Sequence, residues 1–250
     1  MLDHEYATMR QVEDHHWWYR TLRNMVVREV RPLVAAAPGL HILDAGCGTG
    51  GMLHRLREAC PTAILHAIDY APAAVASTRA RGFPGVEEGS INQLPFDPAS
   101  MDMILCLDVL YHAAVDEQLA LAGCHRVLKP GGTLVLNLPA YAVLRGRHDE
   151  AVSGVRRYRP ARLRALLTGA GFEVITVHAW NAWLFFPMLV LRQWSRHRRP
   201  AQPAGAAGDL TLTSPALNPL LAPLGALDTR LSRWLGNPLG TSLYAIARRP

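Results

Sequence analysis

The chain has 250 residues, 50% of them apolar, and a formal net charge of +6. That length fits one domain with insertions, and the apolar share is enough to build a full core. The positive charge is carried by arginine, with Lys129 the only lysine, and it is not interleaved with a zinc, helix-turn-helix or other base-reading pattern, so no nucleic-acid partner is expected. Anionic lipid and acidic substrates remain as readings of the charge. The cysteines Cys47, Cys60, Cys106 and Cys124 form no C-x-x-C pair and sit at no metal spacing with histidine. They read as free buried thiols in a reducing cytoplasm, with no metal site. Asp3 and Glu5 interrupt the N-terminal residues, which lack an apolar run, so no signal peptide is expected. No apolar stretch reaches the length of a membrane span.

Residues 1–37 read as helical. Leu22, Val26, Val30 and Leu33 form a helical stripe between Arg20 and Val34, and Pro38-Gly39 ends it. The preceding segment His15-His16-Trp17-Trp18-Tyr19-Arg20 is dense in aromatics. An apolar strand, Leu40 to Leu43, then runs into Asp44, followed by Gly46, Gly48 and Gly50 at alternate positions and a helix pattern from Met52 to Ala59. Such a chain makes a tight strand-to-helix turn whose backbone approaches a ligand closely, with the unpaired N–H groups of a helix N-terminus behind it. This is a nucleotide-type cofactor loop. By spacing alone, Gly46, Gly48 and Gly51 also satisfy the dinucleotide fingerprint, with Asp69 about 20 residues on as the ribose acid. An acid directly before the glycines disfavours a pyrophosphate and suits a cofactor with a cationic amino-acid end.

Further strands end near Asp69, Glu88, Leu107 and Leu138, with helical stretches between most of them. This alternation implies an α/β fold, a parallel sheet with helices on both faces. Ligands then sit outside the carboxyl ends of the strands, where Asp44, Asp69, Ser90 and Asp108 all fall. Between 145 and 164 seven arginines stand against Asp149 and Glu150, a solvated face or a greeting for an anionic substrate. A helix is expected from Pro160.

The segment 181–240 is unusual. Trp183 to Leu191 is strongly apolar and Arg192, Arg196, Arg198 and Arg199 follow it. Residues 200–209 read as a linker rich in Ala, Gly and Pro. Leu210 to Leu227 carries no charge, but Pro215, Pro219 and Pro223 argue against one straight helix, and a second helix is expected from near Pro223 to Leu235. An apolar wedge beside arginines suits a membrane interface; the alternatives are a lid over a substrate site and a dimer surface.

The run Asp44-x-Gly46-x-Gly48-x-Gly50 resembles motif I of the class I S-adenosylmethionine-dependent methyltransferases. Gly89 to Phe96 resembles the adenine-side block of that family, and Met101 to His112 its fourth strand and following loop. Arg126 to Leu136 resembles the helix, turn and fifth strand, Ala170 to Val174 the start of strand six, and Thr241 to Ala247 the final strand. These blocks stand in family order over 40–180 and the C-terminus. A bacterial subgroup carries a similar His-Trp-Trp-aromatic-Arg segment. The chain departs from the family at Ser90, where an acid is usual.

The resemblance implies a Rossmann-like seven-stranded sheet with an antiparallel last strand and a helical insertion before it. The domain would comprise a cap at 1–37, a cofactor-binding core at 38–180, the insertion at 181–240 and the final strand at 241–250. S-adenosylmethionine is the expected cofactor and S-adenosylhomocysteine its product. Asp44 and the backbone of Gly46, Cys47, Gly48 and Gly50 would receive the methionine part. Asp69 would take the ribose hydroxyls, Tyr70 the adenine face, and Ser90 and Ile91 the adenine edge. Asp108 would lie near the methyl-transfer mouth. His112, just past strand four, is the expected acid–base residue. Trp18, Tyr19, Arg23, Tyr111 and His148 are the expected acceptor contacts. The expected activity is methyl transfer to a small-molecule or lipid-linked, hydrophobic acceptor. The expected location is the cytoplasm, with peripheral contact at the inner face of the membrane through 181–240. An NAD-dependent oxidoreductase shares the glycine turn but does not explain the later blocks. A non-catalytic membrane-surface module with a degenerate fold is a third reading, separated from the first by cofactor binding.

Overall fold

The computed structural model describes residues 3–146, 149–150, 152–197 and 217–250. Strands β1 (His41–Ala45), β2 (Ile64–Asp69), β3 (Glu87–Glu88), β4 (Met101–Leu107), β5 (Leu128–Pro139), β6 (Glu173–Trp180) and β7 (Ser242–Arg248) form one seven-stranded sheet in the order β3-β2-β1-β4-β5-β7-β6. The neighbours from β3 to β5 are parallel, and β7 lies antiparallel between β5 and β6. The helices are α1 (Asp3–Val12), α2 (Trp17–Ala36), α3 (Gly51–Ala59), α4 (Pro72–Ala80), α5 (Glu117–Val127), α6 (Pro160–Gly169), α7 (Ala182–His197) and α8 (Asn218–Leu235).

Both faces of the sheet are covered, which is why its central strands read as nearly continuous apolar runs. Successive residues of β4 divide between two cores. Met103 and Leu105 pack with Leu22, Val26 and Val30 of α2 and Met52 and Leu56 of α3. Ile104 and Cys106 pack on the other side with Leu121 and Cys124 of α5 and Leu163 and Leu167 of α6. Period-two alternation along a strand produces this division.

Helix α2 begins earlier than its apolar stripe, because the His16 ring accepts the Trp18 N–H at 3.3 Å and caps its first turn. Within 181–240, α7 passes through Pro187 and α8 starts at Asn218, ahead of the expected position near Pro223. Pro219 lies in the first turn of α8, where its missing N–H has no helical partner to lose. The two helices are tied together by Asp228 of α8, which accepts the Asn181 N–H at 2.6 Å and the Ala182 N–H at 2.9 Å at the start of α7. Helix α8 packs along α2 and β6, and Arg233 pairs with Glu29 of α2. The linker expected at 200–209 lies outside the described residues.

Candidate active site

Strand β1 delivers Asp44 to the carboxyl end of the sheet, and the turn after it is pinned from three sides. The N–H groups of Gly46 and Cys47 donate to the Ile68 carbonyl at 2.9 and 3.0 Å. The Gly48 N–H donates to Asp69 Oδ2 at 2.8 Å, and the Thr78 hydroxyl donates to the Gly48 carbonyl at 2.9 Å. Gly48 has φ +55° and a β-carbon there would lie 2.7 Å from Met9 Cε of α1. At Gly51, the first residue of α3, a β-carbon would collide with Arg23 and Glu13. The glycines thus admit the N-terminal segment as well as a ligand.

That segment closes over the turn. Glu13 Oε1 accepts the Thr49 hydroxyl at 2.5 Å and is paired with Arg81 at the end of α4, while Oε2 accepts from Arg23 at 2.5 Å. Asp14 accepts from Arg23 and Arg81, each at 3.1 Å. Arg23 and Glu13 are both buried.

Beneath this cover lies one cavity of about 590 Å³. Asp44, Gly46, Gly48, Asp69 and Tyr70 line one part of it. Trp17, Trp183, Leu184, Met188 and Leu221 line another, largely apolar part. Cys47, Asp108, His112, Trp18, Tyr19, Arg23 and Tyr111 also line it, so most of the residues picked out in the sequence converge on one space. Gly50 is not on the wall; it caps α3 with φ +80°. Ser90 and Ile91 are not on the wall either. Ser90 is exposed and its hydroxyl accepts the Asn92 N–H at 3.2 Å, while the Ile91 side chain is buried in the core. His148 lies outside the described residues.

The site is rich in carboxyls that burial has made reluctant to ionise. Desolvation, then the nearby Asp69 and Glu13 carboxylates, push the Asp44 carboxyl up to about 7, and its Oδ2 is buried without a hydrogen-bond partner. Asp69 is raised by burial, against the opposing N–H bonds from Ala71 and Gly48. Burial also pushes Asp108 up to about 7, opposed by the Asn137 amide. His112 goes the other way: burial lowers its ring to about 4, so it is neutral near pH 7. Its ring stacks on Tyr111 with centroids 4.3 Å apart, and Nδ1 is buried without a hydrogen-bond partner.

Several residues of the site were not legible as such. Glu13 and Asp14 stand just before the aromatic segment, and an acidic pair in an arginine-rich chain was the available signal. Asn137 is the one amide inside the apolar run Leu134–Leu138. Its Nδ2 donates to Asp108 Oδ2 at 2.8 Å and its Oδ1 accepts the Trp180 indole N–H at 2.9 Å. Within the arginine-rich stretch, Arg157 is not solvated. It makes a bidentate pair with Asp149 at 2.7 and 3.0 Å on the cavity wall.

These residues fit S-adenosylmethionine. The unpaired oxygen of Asp44 suits an ammonium group, Arg23 and the start of α3 suit a carboxylate, and Asp69 retains lone pairs for a ribose diol. Comparison with known proteins agrees. Residues 43–136 match the model of a methyltransferase domain. A Mycolicibacterium smegmatis protein named "Probable S-adenosylmethionine-dependent methyltransferase" is 31% identical over 171 residues, covering 67% of this chain and 63% of that protein, so this chain spans less than two thirds of its length. The ubiquinone biosynthesis O-methyltransferase of Pseudomonas paraeruginosa is 29% identical over 204 residues, covering 69% of this chain and 84% of that one. A Haloferax volcanii chain solved in complex with the Trm112 methyltransferase activator has the same fold, with a TM-score of 0.62 at 21% identity, over 99% of this chain and 95% of that chain. With the glycine turn after β1, the acid ending β2 and the antiparallel β7, the chain belongs to the class I S-adenosylmethionine-dependent methyltransferases.

Proposed function

We propose that the protein transfers a methyl group from S-adenosylmethionine to a hydrophobic acceptor, a small molecule or a lipid-linked one. The observation that carries this reading is the single cavity in which the carboxylate-lined cofactor part is continuous with walls of Trp17, Trp183, Leu184, Met188 and Leu221. When bound, the cofactor supplies a methyl group already activated by a sulfonium, so the protein's task is alignment and exclusion of water. Asp44 and Arg23 would hold the amino-acid end, Asp69 the ribose and Tyr70 the base. The aromatic cap would shut out water, and His112 would form a neutral part of the wall. The relative named for ubiquinone biosynthesis supports an apolar, oxygen-bearing acceptor. The test is incubation of the protein and S-adenosylmethionine with catechols that carry or lack a long alkyl tail. A gain of about 14 Da on the tailed catechols alone is expected. Methylation of only the tailless ones would overturn the hydrophobic-acceptor reading.

The same helices favour contact with a membrane surface. Phe186, Val190 and Trp194 of α7 and Leu224, Leu231 and Trp234 of α8 are exposed, while Leu184, Met188 and Leu221 of these helices line the cavity. Arg230 of α8 is exposed next to Leu231 in the sequence, whereas Arg233 is paired with Glu29 of α2. No helix among the described residues is long and apolar enough to cross a membrane. Aromatic and aliphatic groups next to arginines suit a shallow seat on anionic headgroups. A tailed acceptor would then reach the cavity without crossing water.

A further inference from the structure

Asp108 lines the cavity and is fixed there by backbone and side-chain bonds to one residue of β5. It follows the last residue of β4 and adopts φ +56°, a left-handed conformation that a non-glycine residue enters at some cost and that concentrates at functional sites. Asn137 of β5 fixes it twice. The Asn137 carbonyl accepts the Asp108 N–H at 2.8 Å, and the Asn137 side-chain N–H donates to Asp108 Oδ2 at 2.8 Å. The Trp180 indole, bound to Asn137 Oδ1 at 2.9 Å, sets which end of the amide faces Asp108. Trp180 in turn stacks on Trp18 of the cap, with centroids 5.6 Å apart. Asp108 Oδ1 has no partner among the described residues, and Asp108 lines the cavity with Tyr19, Tyr111 and His112.

We infer that Asp108 is the general base that takes the proton of an O–H or N–H acceptor, and that Asn137 and Trp180 are its positioning residues. The inference rests on the methyl-transfer reading above. The acceptor's proton passes to Asp108 Oδ1 as the acceptor's lone pair forms the new bond to the methyl carbon. The C–S bond breaks with its electron pair kept by sulfur, which leaves as a neutral thioether. The positive charge of the sulfonium is thereby cancelled, and the proton leaves with Asp108. A carboxyl that burial holds near neutrality suits this task better than His112, whose ring titrates near 4.

The surroundings leave Asp108 as the group that titrates near neutral pH on this wall. Tyr19 of α2 and Tyr111 of its own loop are pushed up by burial, and Cys106 of its own strand likewise. His112 is lowered by burial, and Asn137 and Trp180 carry no charge. The charges of Asp149 and Arg157, which act on the neighbouring Tyr111, are spent on each other.

The experiment combines a carboxyl titration with kinetics. In protein labelled with ¹³C at the aspartate carboxyl carbon, the resonance lost in Asp108→Asn should titrate near pH 7 in the wild type. In Asn137→Leu, which removes the donor to the ionised form, the midpoint should rise by about one pH unit, the scale of one charge-assisted hydrogen bond. Trp180→Phe, a milder change that keeps the ring, should move it in the same direction. With the tailed catechol as acceptor, Asp108→Asn should cut turnover by about 10²-fold or more while the dissociation constant of S-adenosylhomocysteine stays within about twofold. The acid limb of the wild-type rate should follow the same midpoint and shift with it in Asn137→Leu. An Asp108 resonance that titrates below about pH 5, or normal turnover in Asp108→Asn, would overturn the assignment. A wild type that methylates no catechol while Asp108 titrates as stated would count against the acceptor reading and not against the wiring of the carboxyl.

Discussion

Asp69 lines the cavity and holds the glycine turn with the same carboxylate: the Gly48 N–H donates to its Oδ2 at 2.8 Å, and the Ala71 N–H donates to its Oδ1 at 3.0 Å. The acid at the end of β2 is therefore a strut for the glycine turn, and on the proposed reading it is the ribose ligand as well. Asp69→Ala should weaken S-adenosylmethionine binding by roughly 1.5–3 kcal/mol, the scale of a hydrogen bond to a charged group. Because Gly48 also loses its acceptor, the melting temperature should fall in the same variant. Calorimetry with an unchanged dissociation constant would show that the ribose is held elsewhere.

The cap is fastened by buried charge. Arg23 and Arg81 reach across the turn to Glu13, and Arg81 and Glu13 are each at most 4% exposed in their side chains. Burial alone would raise Asp14, but Arg81 and Arg23 hold it below the usual carboxylate range. Removing one member of such a group strands the others without compensation, at a cost of about 3 kcal/mol or more. Glu13→Ala should lower stability by that order and speed dissociation of S-adenosylhomocysteine by at least about tenfold, since 1.4 kcal/mol of lost cover is enough for that factor. Stopped-flow release at the wild-type rate would mean that the ligand does not leave by way of the cap.

His112 provides a contrast with Asp108. His112→Phe keeps a ring against Tyr111 and removes the titrating nitrogen, so turnover should fall by less than about tenfold. A loss of about 10²-fold with unchanged cofactor affinity would restore the histidine as the base expected from the sequence.

The exposed apolar faces of α7 and α8 should bring the protein to anionic liposomes and not to neutral ones. Binding should weaken with salt, since screening acts on the arginine contribution. Trp234→Asp, at a position 83% exposed, should abolish flotation while leaving the fold intact. Flotation indifferent to lipid charge, or absent, would leave these helices as a cover for the cavity and nothing more.

The parallel strands and the place of the cofactor turn were legible because they rest on local signals. Continuous apolar runs, glycines at alternate positions and acids at strand ends each have one cheap structural solution. Asp44, Asp69 and Asp108 converge because parallel strands bring their carboxyl ends to one edge. What was not legible depends on contacts far apart in sequence. Glu13 and Arg81 pair across 68 residues of sequence, and one glutamate among many gives no sign of its partner. The Asn137–Trp180 bond joins strands separated by a helix. The proline count in 210–227 misled about the start of α8, because Pro219 falls in a first turn where proline is harmless. The environment of the His112 ring was not legible for a related reason. Sequence position gives the ring but not the desolvation that lowers it.

Asp44 is the residue that separates the two cofactors, and its carboxyl is raised to about 7 by burial, then by Asp69 and Glu13. A carboxyl raised on folding favours the folded state in acid, and that contribution is lost as pH rises from about 4, its unfolded value, through about 7. A bound ammonium group reverses this by stabilising the ionised form. Titration calorimetry of S-adenosylhomocysteine and of NAD into wild type and Asp44→Asn, across about pH 5.5 to 8, reads the linkage. Affinity for S-adenosylhomocysteine should fall by up to about tenfold per unit below pH 7, with proton release on binding, and should lose this dependence in Asp44→Asn. NAD should give no heat. Binding of NAD without S-adenosylhomocysteine, or an affinity for S-adenosylhomocysteine that ignores both pH and Asp44, would contradict the account.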